Sequence, residues 1–125
     1  MDEVDELTFG IHDLREGSPQ AFRKLFFQYY PEFFSFAHSL LADRLSSANI
    51  TTEAFFLLWK KRSYLDTGKD IKAFLYNTIR NGCFNYLKYL QQYPDTGVYQ
   101  AQNGMDPSFP EETLQELLAY VARGI

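Results

Sequence analysis

The stretch Ile71 to Leu90, IKAFLYNTIRNGCFNYLKYL, decides the fold class. Ile71, Phe74, Leu75, Ile79, Cys83, Leu87 and Leu90 recur at three- and four-residue intervals, the spacing that lines up apolar side chains along one face of an α-helix. The alternation of a half-buried strand is absent here and along the rest of the chain. Asp70 is placed to cap this helix, which extends to about Gln92. The expected fold is all-α, a compact bundle of about four helices with this one as the fourth.

The opposite positions of the same helix hold Lys72, Tyr76, Arg80, Phe84 and Lys88, each four residues after the last. Four residues overshoot one helical turn by about 40°, so the five side chains form a slowly winding stripe of alternating cations and aromatic rings. Asn77, Asn81 and Asn85 run beside it with the same period. Cations suit phosphates, ring faces suit unstacked bases and amides suit base edges, a combination that describes a surface for single-stranded nucleic acid. Tyr76 and Phe84 can equally complete the core, with the asparagines facing water. Both readings stay open at this level.

Upstream, Arg62 to Lys69 reads as a loop with a turn at Asp66-Thr67-Gly68. It carries Tyr64, is preceded by Lys60, Lys61 and Arg62, and closes on Lys69. An aromatic side chain flanked by cations suits a base drawn out of its stack, although Lys and Arg also suit any helix C-terminus. Trp59 reads as a core anchor. A third helix is expected from about Ser47 to Lys61, burying Ile50, Ala54, Leu57 and Leu58. Before it, Phe22, Phe26, Tyr29, Phe33, Phe36 or Ala37, and Leu40 mark a second helix, opened by a Ser18 cap and Pro19 in its first turn. Pro31 is expected to kink or break it. Val4, Leu7, Ile11 and Leu14 mark a first helix ending at Gly17.

Downstream, Asp95 to Pro110 is rich in Gly, Pro, Gln, Asn and Asp, the composition of a linker. Leu114, Leu117, Leu118 and Val121 then mark a short amphipathic helix. So short a helix is marginal alone; it packs back on the bundle or opens a further domain. The expected division is a helical domain over 1–93, a linker over 94–110 and the short helix over 111–125.

Charge is unevenly spread. Between Ala54 and Gln92 seven basic residues face two acids, Asp66 and Asp70, for a net +5; the rest of the chain has five basic residues and fourteen acids, −9. One region therefore attracts phosphates while the remainder repels them. A single cysteine, Cys83, excludes an internal disulfide, and no apolar run approaches the roughly 18 residues needed to cross a bilayer. The expectation is a soluble, cytoplasmic protein. His12 and His38 lie far apart in sequence, and no HExxH, paired CxxC or phosphate-cradling glycine loop is present. Nothing calls for a catalytic residue, a metal or a cofactor.

Three stretches resemble region 2 of extracytoplasmic-function sigma factors. REGSPQAFRKLFFQYYPEFFSFA (Arg15 to Ala37) is similar to its opening. ITTEAFFLLWKKR (Ile50 to Arg62) matches its glutamate, Phe and terminal Trp with Glu53, Phe55 and Trp59. The stretch from Ile71 to Leu90 matches its Leu and Arg-Asn positions with Leu75, Arg80 and Asn81. The resemblance implies that the third helix docks on the β′ clamp helices of core RNA polymerase, through Asn49, Thr52, Glu53 and Phe56. It also implies that the fourth helix and the loop before it engage the non-template single strand of promoter DNA, and that an anti-sigma factor is a further candidate partner. No membrane and no enzymatic role are implied. The sequence departs from the family pattern at Ala48, Asn49 and Thr52, where acids and a glutamine are usual, and at Asn85 and Lys88, where Asp and Arg are. A sigma-like interaction module without DNA binding is the alternative reading.

Overall fold

The computed structural model describes residues 10–94 and 104–124. Val4 and Leu7 of the first helix, most of the linker, and Ile125 lie outside the described residues. The described chain is helical without strands: α1 (10–15), α2 (Pro19–Leu41), α3 (Arg44–Lys60), a single 3-10 turn (Arg62–Tyr64), α4 (Gly68–Gln92) and α5 (Glu111–Gly124).

Local chemistry explains most boundaries. Gly17 turns the chain out of α1 at φ 91°, in the left-handed region where a side chain is strained. Ser18 then accepts a hydrogen bond from the Ala21 amide at 3.2 Å and caps α2, with Pro19 in the first turn. Asp43 caps α3 by accepting from the Ser46 amide, so α3 starts three residues before the expected Ser47. Thr67, not Asp70, caps α4. The Thr67 hydroxyl accepts from the Asp70 amide and the Asp70 carboxylate accepts from the Thr67 amide, both at 3.1 Å, a reciprocal capping box. The expected break at Pro31 does not occur. Pro31 is solvent-exposed within a continuous α2, although it removes one helical N–H.

The core is aromatic. Phe22, Phe26, Phe33 and Phe55 have no exposure. Phe26 stacks on Tyr30 at 4.9 Å and meets Phe55 at 5.0 Å, tying α2 to α3. Ile71, Leu75, Ile79 and Cys83 of α4 close the other side. α3 lies between α2 and α4 and is buried around most of its circumference. Gly82 permits a close approach of α3 to α4: a Cβ there would stand 3.0 Å from Ile50 Cγ2. Leu87, expected inside, is exposed, and Tyr86 is buried in its place. The inward line of α4 drifts as it must at 100° per residue, so position 86 rather than 87 follows Cys83.

The C-terminal segment folds back onto this bundle. Phe109, within the stretch read as linker, is buried edge-on against Phe22 at 5.6 Å and Trp59 at 5.0 Å. Leu117 of α5 has no exposure. Tyr120 meets Phe27, Tyr30 and Phe26 edge-on at 4.9 to 6.4 Å. Arg23 donates both arms of its guanidinium to Glu116 at 2.7 and 2.8 Å.

Candidate nucleic-acid interface

The fourth helix presents its stripe to solvent. Arg80, Phe84 and Lys88 are exposed, Phe84 at 48 % despite being a large apolar ring. Asn77, Asn81 and Asn85 are exposed beside them. No acid occurs between Ile71 and Gln92, so about 24 Å of helix from Lys72 to Lys88 carries cations, amides and rings alone. Phe84 is therefore not a core residue.

Two members of the stripe are tied to α2. The Tyr76 ring lies edge-on to Phe33 at 4.8 Å and Phe36 at 5.0 Å, and its hydroxyl donates to Glu32 at 3.2 Å. Burial, and then the bond to Glu32, push the Tyr76 phenol up, so it stays protonated and offers a half-open ring. Lys72 holds its ammonium 4.9 Å from the centre of the Tyr29 ring, a cation–π placement that keeps its charge at the surface. Arg80 donates to Asn77 at 3.1 Å, which orients both side chains along the helix.

The loop before α4 is ordered by a 3-10 turn. Tyr64, on its last residue, is 77 % exposed, with the Lys61 ammonium 5.9 Å from its ring centre. Lys60, Lys61 and Lys69 are exposed around it. Arg62 is different. Its guanidinium lies 4.2 Å from the Trp59 ring centre and donates to the Trp59 carbonyl at 2.8 Å, while its Nε is buried without a partner. Arg62 thus closes the core over Trp59, and the structure does not bring it to the stripe.

The four expected docking residues fall on one side of α3 but are more covered than a free docking face would be. Phe56 is 8 % exposed, and Asn49, Thr52 and Glu53 are half-buried. The Tyr30 hydroxyl lies 3.1 Å from both the Thr52 hydroxyl and the Ala48 carbonyl. Burial pushes the Tyr30 phenol up to about 12.

Sequence reasoning missed Glu32 and Arg15, which reach the candidate surface from 44 and 48 residues away. No local pattern announces such partners. Among the described residues no group of His, Cys, Asp or Glu is arranged to hold a metal ion. A cavity of about 580 Å³ is lined by α1, α2 and Ile71 of α4, with His12 and Asp13 at its border, and includes none of the stripe residues.

Sigma-70 region 2 matches residues 25–92, more than half of the chain and all of α3 and α4. The chain belongs to the sigma-70 region 2 family. No curated protein and no solved structure matches it. The family gives this region 2 domain a sigma-factor-like role in binding core RNA polymerase and recognising promoter DNA, and the family is not enzymatic. Among the described residues no helix is long and apolar enough to cross a membrane.

Proposed function

We propose that this region 2 domain belongs to an extracytoplasmic-function sigma factor acting in the cytoplasm. In this reading it docks on the β′ clamp helices through the Asn49, Thr52, Glu53 and Phe56 side of α3. It holds the melted non-template strand on α4 and the Tyr64 turn. Lys60, Lys61, Lys69, Lys72, Arg80 and Lys88 meet phosphates; Tyr64, Tyr76 and Phe84 meet base faces; Asn77, Asn81 and Asn85 meet base edges. Arg62 serves the fold instead. The bundle through residue 93 carries these contacts, with α5 folded back upon it.

One observation carries the proposal: a solvent-facing helix surface without acids that nonetheless exposes Phe84 between Arg80 and Lys88. Cations alone describe any solvated helix; an exposed ring among them describes a surface for unstacked bases. Fluorescence anisotropy with a promoter-length oligonucleotide tests it. Single-stranded DNA is expected to bind more tightly than the same sequence as a duplex, with affinity falling steeply as salt rises, because phosphate neutralisation releases condensed counterions. Phe84→Ala and Tyr64→Ala should each lose about 1–3 kcal/mol of single-strand affinity, the scale of base–aromatic stacking. A flat, salt-independent response supports the sigma-like interaction module without DNA binding, and variants that bind single strands as tightly as the parent chain remove Tyr64 and Phe84 from the surface.

A further inference from the structure

Tyr64 is the most exposed aromatic side chain of the candidate surface, and among the described residues no ring or side-chain hydrogen bond anchors it apart from the distant Lys61 ammonium. Its position is set by the backbone that carries it. That backbone is short: the Tyr64 amide donates to the Lys61 carbonyl at 2.9 Å and the Leu65 amide to the Arg62 carbonyl at 3.3 Å, one turn of 3-10 helix. Such a turn has weak intrinsic stability, so something must fix it. At its far end the Asp70 carboxylate accepts from the Asp66 and Thr67 amides. On its near side one residue from another element spans it. Arg15, at the C-terminal end of α1, donates to the Ser63 carbonyl at 3.3 Å and pairs with the Asp66 carboxylate at 3.2 Å. The two contacts bracket Tyr64, one residue before it and two after.

Arg15 can reach both because α1 turns away sharply behind it. Gly17, at φ 91°, accomplishes the turn, with its amide on the Leu14 carbonyl and the Ser18 amide on the Asp13 carbonyl. A Cβ at Gly17 would stand 3.3 Å from Arg62 Nη2, so the same glycine leaves room for Arg62 over the Trp59 ring at the root of the turn.

We infer that Arg15 is a positioning residue for Tyr64: it clamps the 3-10 turn from α1 and so presets the ring that receives a base. This rests on the proposed role of Tyr64 and adds to it a residue from outside α4 and its loop. Preorganising a loop raises affinity by removing an ordering cost rather than by adding a contact. The clamp is partly exposed, so its effect is modest. Arg15→Ala is expected to weaken single-strand binding roughly two- to fivefold, the range of an exposed ion pair.

Arg15 carries a positive charge, and the rival explanation for such a loss is a direct phosphate contact. Three measurements on the full chain separate the two. Amide hydrogen exchange at Tyr64 and Leu65 should quicken in Arg15→Ala; unchanged exchange overturns the inference. In anisotropy titrations the slope of log affinity against log salt should stay as in the parent chain, and Arg15→Ala should cost nothing further in a Tyr64→Ala background. A shallower slope, with the loss persisting in that background, marks a phosphate contact and also overturns it. Asp66→Asn is the sharpest arm. Removing an acid beside a phosphate path raises affinity by charge alone, whereas breaking the clamp lowers it; a weaker-binding Asp66→Asn supports positioning and a tighter-binding one rejects it. Quickened exchange combined with an inert Tyr64→Ala would support Arg15 as the holder of the turn while removing Tyr64 from the base-binding surface.

Discussion

Cys83 has no exposure, and burial pushes its thiol up to about 11 from an ordinary 9. The folded state therefore keeps a proton that the unfolded state releases, so the contribution of this thiol to stability is constant below about pH 9 and falls as pH rises from there towards 11. The buried Tyr30 phenol, pushed up to about 12, extends the loss to higher pH. Urea midpoints measured from pH 8 to 11 should decline accordingly, and less so for Cys83→Ala. Iodoacetamide at pH 8 should label Cys83 far more slowly in the native chain than in urea, since only the accessible thiolate reacts. The inward place of Cys83 was legible from its helical spacing alone. Arg62 and Phe84 were not. A basic residue beside two lysines gives no sign that its guanidinium will lie on a tryptophan, and an aromatic residue at helical spacing looks the same whether it faces core or solvent. Only the rotation of α4 against α2 and α3 separates those cases.

At the scale of the element, α3 joins the core to the proposed polymerase contact. If it docks as proposed, Asn49→Asp should tighten binding to core polymerase by about 1–2 kcal/mol, because a carboxylate makes charge-assisted hydrogen bonds to the arginines expected on the clamp helices. Glu53→Ala should weaken it, and neither change should alter single-strand affinity, which belongs to α4. Competition pull-downs with core polymerase, run beside the anisotropy assay, check both; weaker docking by Asn49→Asp would place the contact elsewhere. Helices α2 and α4 were readable in the sequence because each buries one face and leaves the other in water. α3 was readable only in part. It is covered by α2 on one side and α4 on the other, so small buried residues such as Ser46, Ser47 and Ala48 precede its larger apolar positions, and apolar periodicity does not reach back to its first turn at Arg44. Proline at position 31 does not break α2, which runs through it without interruption.

Across the whole molecule the decisive contact is Phe109. It stands in a stretch whose Gly, Pro, Asn and Asp content reads as linker, and a single aromatic residue within such a stretch carries no periodicity to reveal its burial. Yet its ring meets Phe22 of α2 and Trp59 of α3, while Leu117 and Tyr120 carry α5 across α2. The C-terminal segment is thereby coupled to the hydrophobic core rather than to its surface, so it should unfold together with the bundle. Trp59 is the only tryptophan of the chain, and its emission reports this junction directly. In a thermal or urea transition, Trp59 fluorescence and far-ultraviolet ellipticity are expected to coincide, as they do when one cooperative unit unfolds. Phe109→Ala should lower both midpoints together, by about 3–5 kcal/mol of stability if the cavity between Phe22 and Trp59 stays open. Glu116→Ala, which removes only an exposed ion pair with Arg23, should cost less than about 1 kcal/mol. The opposite pattern is equally readable. If Phe109→Ala shifts the fluorescence transition and leaves the ellipticity of the bundle in place, residues 104–124 form an independently detachable unit, and the core of this region 2 domain closes without them.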